Sequence, residues 1–273
     1  MIKTILVATD GSEGATAGEN FGLALAGRLQ ARAAGITVIE DRDVKAPKAD
    51  GLSTASFPES ELQAYYRSRA EAVAQRFGER AQSGGNSGSC EVATGIADEV
   101  IIERSRGTDV VVVGRNGKGE PYSGSLVGST TTRLMRKTSR STLIVPAGAA
   151  LSGPIILGFD GSPGSRIAAD LAVQLANGLG ETIHVFVDSK DKGRAVARFE
   201  EVRQLLGPLS GSVRETSSTL GRPDVKIVDA AKESRSGLIV MGAFGRNRIS
   251  EYFLGSNAAS VVRTSPVAVL LAR

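Results

Sequence analysis

The 273-residue sequence predicts an α/β protein assembled from two copies of one parallel-sheet unit, and three observations carry that expectation. Short apolar runs alternate with helix-length stretches, the pattern of βαβ units feeding a parallel sheet. The pattern occurs twice. Ile5-Leu6-Val7-Ala8-Thr9-Asp10-Gly11-Ser12 is echoed by Ile155-Ile156-Leu157-Gly158-Phe159-Asp160-Gly161-Ser162, Val110 to Gly114 by Leu238 to Gly242, and Leu126-Val127-Gly128-Ser129 by Phe253-Leu254-Gly255-Ser256. Finally, 41% of residues are apolar but only 4% are aromatic, with no Trp, so the core has to be Val, Ile, Leu and Ala, as under helix-covered parallel sheets.

In the first copy the strands read Ile2 to Thr9, Ile36 to Ile39, Cys90 to Thr94, Asp109 to Val113 and Thr142 to Val145; in the second, Pro154 to Phe159, Thr182 to Val187, Ser212 to Thr216, Leu238 to Met241 and Val267 to Leu271. Apolar residues recur once per helical turn between them: Phe21, Leu25 and Leu29; Leu62, Tyr66, Ala70, Val73 and Phe77; Ile167, Leu171, Leu175 and Leu179. Tyr65, Tyr66 and Phe77 read as one face for core or interface contact. Ser162-Pro163 suits a helix start, because the hydroxyl accepts an orphan N–H and proline has none to lose. Pro146 to Gly153 interrupts the periodicity and reads as a linker, giving expected domains at 1–147 and 153–273. The polar stretch Asp41 to Ser60 has no counterpart of that length in the second copy and reads as a mobile loop. The last strands, Thr142 to Val145 and Val267 to Leu271, are expected to bring the two copies together and cover each other's edges.

Composition excludes several classes. The 33 basic and 29 acidic residues are scattered, so no nucleic-acid-binding tail is indicated. A lone Cys90 and a single His184 cannot build an intramolecular disulfide or an ordinary zinc site. No stretch approaches the roughly 18 apolar residues of a membrane helix, and Met1 to Thr9 runs into a strand pattern without a signal-peptide layout, so a cytoplasmic protein without membrane contact is expected. His184, inside the run Ile183 to Val187, reads as a hydrogen-bonded core residue, and Cys90 as packing.

The segment richest in chemistry is Gly242-Ala243-Phe244-Gly245, followed by nine residues, Arg246 to Leu254, and then Gly255-Ser256 opening a helix. The first glycines fall at the carboxyl edge of a buried strand, where open parallel sheets bind ligands. A helix N-terminus offers unpaired N–H groups and partial positive charge to a phosphate, and glycine lets the oxygens approach. Arg246 and Arg248 could neutralise phosphate charge or simply be solvated. The same glycines and Asp10 or Asp160 could also be only turns and caps.

Gly-x2-Gly-x9-Gly-Ser, together with Phe159-Asp160-Gly161-Ser162 and Arg263 to Val267, resembles the ATP-binding pattern of the universal stress protein family, and the resemblance spans nearly the whole chain twice. It implies two Rossmann-like domains of the adenine nucleotide alpha-hydrolase type, each a five-stranded parallel sheet with helices on both faces. It further implies ATP or a similar adenine nucleotide, with magnesium near Asp160 in company with the nucleotide, and pairing of tandem chains into a dimer. Carried over by position, Asp160 lies by ribose and phosphates, the backbone around Val185 meets the adenine, Gly242, Gly245, Gly255, Ser256 and Asn257 lie round the phosphates, and Met241 belongs to the same nucleotide site. The first copy offers Asp10, Val38, Gly114, Gly117, Gly128 and Ser129, but ten residues, Lys118 to Val127, separate its glycine elements. Its loop departs from the pattern.

A nucleotide-responsive stress or regulatory protein is the expectation, with at most slow ATP hydrolysis, since no Walker-type loop, nucleophile elbow or metal cluster is visible. The alternatives are a scaffold that binds no nucleotide and, less well matched, an adenylate-forming or adenylate-cleaving enzyme. The latter usually carries a Ser-Gly-Gly-x-Asp-Ser-like loop where this sequence has Asp160-Gly161-Ser162-Pro163-Gly164.

Overall fold

The computed structural model describes residues 1–40, 58–117, 127–212, 214–219, 221–244 and 254–273. Most of the Asp41 to Ser60 stretch, and Gly245, Arg246 and Arg248, lie outside the described residues. The first half runs β1 (Thr4–Ala8), α1 (Glu13–Leu29), β2 (Arg32–Glu40), α2 (Glu59–Ser83), β3 (Cys90–Gly95), α3 (Ala97–Ser105), β4 (Val110–Gly114), α4 (Ser129–Lys137) and β5 (Ser141–Val145). The second runs β6 (Ile155–Gly158), α5 (Pro163–Leu179), β7 (Ile183–Asp188), α6 (Lys192–Leu206), a 3-10 segment (Gly207–Ser212), β8 (Arg214–Ser218), α7 (Pro223–Glu233), β9 (Leu238–Gly242), α8 (Ser256–Thr264) and β10 (Ala268–Ala272).

Among the described residues the two halves share one sheet of ten strands, in the order β3-β2-β1-β4-β5-β10-β9-β6-β7-β8. Every pairing within a half is parallel. The join is antiparallel, with Ile144 opposite Val269, Leu143 opposite Leu270 and Thr142 opposite Leu271. The expected meeting of the last strands therefore takes the form of a continuous hydrogen-bonded ladder, which removes two edges that would otherwise invite pairing with another chain. In each half the chain builds outward from its first strand on one side and then crosses to the other, so β1/β4 and β6/β9 are the points where strand order reverses.

Both faces of the sheet are covered. Strand side chains alternate, so Ile155 and Leu157 belong to the core on one face, which also takes in Phe21, Phe77, Ala172 and Phe199 of α1, α2, α5 and α6, while Ile156 belongs to the core on the other face with Leu134, Ile227 and Val261. The helix periods hold for Ala70, Val73 and Phe77, which are buried, but Tyr65 is 58% exposed and meets Tyr66 edge to face. It lies about 100° round the helix from Tyr66 and so falls off the buried stripe. Ile167 is likewise exposed, and α5 seats its alanines 168, 169, 172 and 176 on the sheet instead.

β2 starts at Arg32, four residues before the expected Ile36, although Ala33, Ala34 and Gly35 are poor strand formers. Pairing with β1 overrides propensity there, and Gly35 leaves room for Phe77: a Cβ at position 35 would sit 2.8 Å from its ring. His184 is a core residue, as expected. Its Nδ1 lies 2.9 Å from Ser234 Oγ and its Nε2 2.7 Å from Thr216 Oγ1. Because the Ser234 hydroxyl donates to Ala230 C=O, Nδ1 carries the imidazole proton and Nε2 accepts from Thr216. Burial pushes the Cys90 thiol up to about 12, with Glu19 and Glu91 adding to it, so it is held protonated.

Candidate functional site

At the carboxyl end of β6 the chain turns sharply. Asp160 Oδ1 accepts from Ser162 N–H at 2.9 Å, and Gly161 adopts a φ of +76°, a left-handed conformation that suits glycine. Ser162 then caps α5, its hydroxyl accepting from Ser165 N–H at 3.2 Å, with Pro163 in the first turn. The first half repeats this with Asp10, Gly11 and Ser12.

β9 ends at Gly242, where a Cβ would stand 2.8 Å from the Gly164 carbonyl carbon and 3.0 Å from Ser165 N. Glycine there allows the first turn of α5 to rest directly on the strand. α8 opens differently from α5. Its N-cap is Gly255, no side chain caps it, and its first intrahelical bond runs from Ala259 N–H to Gly255 C=O at 2.9 Å. The N–H groups of Ser256, Asn257 and Ala258 are thus left without helical acceptors, and all three residues border the cavity. Gly255 N–H itself is taken by Ala243 C=O at 2.9 Å.

These ends enclose a cavity of about 550 Å³ at the point where strand order reverses. Of the residues singled out in the sequence, Asp160, Met241, Gly242, Gly255, Ser256 and Asn257 all line it. Val185 does not. It is fully buried toward α5 and α6, and its neighbours Phe186 and Asp188 line the cavity instead. From α7 come Pro223, Asp224 and Ile227. Asp224 accepts from Ser260 Oγ at 2.8 Å, tying α7 to α8. Burial opposes its ionisation, but the Ser260 and Arg222 hydrogen bonds and the Arg222 charge outweigh that and hold its carboxyl below the usual range.

The first half gathers Asp10, Val38, Gly114, Gly117, Gly128 and Ser129 round an equivalent cavity of only about 140 Å³. Gly117 packs against Asp10, since a Cβ on it would lie 2.9 Å from Oδ2. α4 also starts at an uncapped glycine, Gly128. Position 98 explains part of the difference in size. Asp98, the counterpart of Asp224, is 1% exposed and receives Arg133 Nε at 2.7 Å and Lys137 Nζ at 2.8 Å. Two cations of α4 draw that helix onto α3, where the second half has a single serine. Burial opposes ionisation of Asp98; the hydrogen bond and charge of Lys137 and Arg133 overcome it, so the carboxyl stays below its usual range.

Sequence reading missed Phe186, Asp188, Asp224 and Ile227. Phe186 and Asp188 were within reach, because an apolar strand ending in an acid two residues after an aromatic places both on one face. Asp224 and Ile227 depend on how α7 packs. A wider open groove of about 930 Å³ lies between α1 and α2, bordered by Arg28, Arg76 and Arg80, and includes none of the expected residues. Among the described residues no three or more His, Cys, Asp or Glu side chains are grouped to hold a metal ion.

Comparison with known proteins agrees with this architecture. The universal stress protein family model matches twice, at residues 1–146 and 152–273. A universal stress protein of Synechocystis sp. is 23% identical with all of both chains covered, and one of Thermus aquaticus is 34% identical over 44% of this chain and 97% of its own. The crystal structure of a universal stress protein from Archaeoglobus fulgidus superposes with a TM-score of 0.79 at 20% identity, covering 99% of this chain and 98% of the other. With the family pattern present twice and the tandem fold matched from end to end, the chain belongs to the universal stress protein family.

Proposed function

We propose that the second half binds an adenine nucleotide, ATP in the first instance, and that the chain acts through nucleotide-dependent conformation or partner binding rather than metabolic turnover. The observation that carries this reading is the 550 Å³ cavity, within the range of small-molecule sites, into which an uncapped helix N-terminus opens across from Asp160. Triphosphate sits at Ser256, Asn257 and Ala258, the sugar at Asp160 and the base against Phe186, Met241 and Ile227. Asp160, Asp188 and Asp224 line the cavity, so the nucleotide brings its own magnesium, held beside Asp160. Among the described residues the cavity holds no nucleophile–base pair, and hydrolysis is at most slow.

The first half serves as the structural partner: its cavity of about 140 Å³ is too small for a nucleotide, and the Asp98 clamp keeps it so. Calorimetry with magnesium and ATP tests both statements. Wild type and Gly128→Val bind about one ATP per chain, whereas Gly255→Val binds none, because a branched side chain blocks approach to the α8 N–H groups. The backbone at 255 (φ −58°, ψ 138°) accepts valine without strain, so circular dichroism matches wild type. Absence of ATP binding by the folded wild type sinks the reading and leaves the scaffold alternative.

A further inference from the structure

The base end of the second-half cavity contains a carboxyl oxygen that none of the described residues satisfies. Asp188 ends β7, and its Oδ1 is buried with no hydrogen-bond partner among the described residues. Such an atom is costly unless something donates to it, because a buried acceptor forfeits water without compensation. Its carbonyl is engaged, accepting from Arg198 Nη1 at 2.9 Å, and the residue stands opposite Ser218 of β8. The unmet capacity belongs to the side chain.

Position fixes what can reach it. Phe186 and Asp188 are two residues apart on one strand, so both project toward the face carrying α7 and α8, and both line the cavity. β7 lies two strands from β9, roughly 10 Å at ordinary strand spacing. A ligand anchored at the α8 N-terminus therefore reaches Asp188 with its far end. The apolar wall of Phe186, Met241 and Ile227 beside it suits a flat ring, and the carboxylate demands an N–H on that ring's edge.

We propose that Asp188 is a specificity residue that reads the 6-amino group of a purine, its carboxylate accepting one N–H and rejecting a 6-oxo base. This rests on the nucleotide reading above. The 6-oxo group of hypoxanthine presents a lone pair in the same place, and two acceptors repel across a dry contact. One donor is what one unsatisfied oxygen requires, which an amino group supplies.

Calorimetry with ATP and with inosine triphosphate, each with magnesium, tests it on the wild type and on Asp188→Asn. Wild type favours ATP by about tenfold to a hundredfold, the equivalent of one hydrogen bond to a charged group. In Asp188→Asn, a near-isostere whose amide can donate to the 6-oxo oxygen, the ratio falls toward one or inverts. Equal affinities for the two nucleotides in the wild type overturn the proposal without any variant, as does an unchanged ratio in Asp188→Asn or tighter binding of GTP than of ATP. Those outcomes leave nucleotide binding intact. If the folded wild type binds neither nucleotide, both readings fall.

Discussion

His184 shows how one side chain sets a pH response for the whole chain. Burial, and secondarily the Arg214 charge, lowers its pKa below 6.5, and its two hydrogen bonds fit the neutral ring. Below pH of about 6.5 the unfolded imidazole takes up a proton that the folded one still refuses, so the unfolded state binds more protons and stability falls as the pH drops. It is the only histidine in the sequence, and the carboxylates held low at Asp98, Asp109 and Asp224 release their contributions only at more acid pH. Urea unfolding of the wild type should therefore show a loss between pH 7 and pH 5 that His184→Gln largely lacks. At pH 7 that variant should itself be weaker by about 1–3 kcal/mol, having disturbed the pairing of Thr216 and Ser234. Equal slopes for the two proteins would assign the acid sensitivity elsewhere.

Elements differ in how much of themselves the sequence discloses. The strands β1, β4, β6 and β9 are unbroken apolar runs buried on both faces, and α1, α2 and α5 carry enough turns to show a period, so these were legible. α3 and α7 are short and bury few residues, and Asp224 and Ile227 enter the cavity only because α7 lies across β6 and β7. Base-side residues could be placed only to within one position of strand register, and one position exchanges the faces of Val185 and Phe186. The glycine pattern also merges two jobs that the structure separates. Gly242 makes room for the α5 backbone, whereas Gly255 exposes the start of α8. Gly242→Ala should accordingly destabilise the nucleotide-free protein by about 1–3 kcal/mol, because backbone atoms must shift to admit the methyl group. Gly255→Val should leave its unfolding midpoint nearly unchanged. Chemical denaturation without ligand distinguishes them, and equal midpoints for Gly242→Ala and wild type would mean that α5 can retreat at no cost.

At the scale of the molecule, the halves are joined by more than the β5–β10 ladder. Arg115, at the end of β4, donates from Nη1 to Ser265 C=O at 2.7 Å, just beyond the end of α8. Arg273, beyond β10, donates from Nη2 to Met135 C=O in α4, gives its N–H to Ser141 Oγ at 3.2 Å, and lies 4.6 Å from the centre of the Phe244 ring. Each half thus sends a cation to carbonyls at the carboxyl end of the other half's uncapped helix, where the helix dipole favours positive charge. Burial lowers the Arg273 pKa to about 10, and its Nε, like that of Arg115, is buried without a partner, so the contact is bought at a desolvation cost and its net worth is moderate. Arg273→Ala should lower stability by about 1–3 kcal/mol in denaturant. Because Phe244 also lines the second-half cavity, the same change should weaken ATP binding there, while Arg115→Ala should lower stability with less effect on affinity. Calorimetry on the two variants separates these effects: equal loss of affinity would mean that the interface as a whole, rather than the Arg273–Phe244 contact, supports the site.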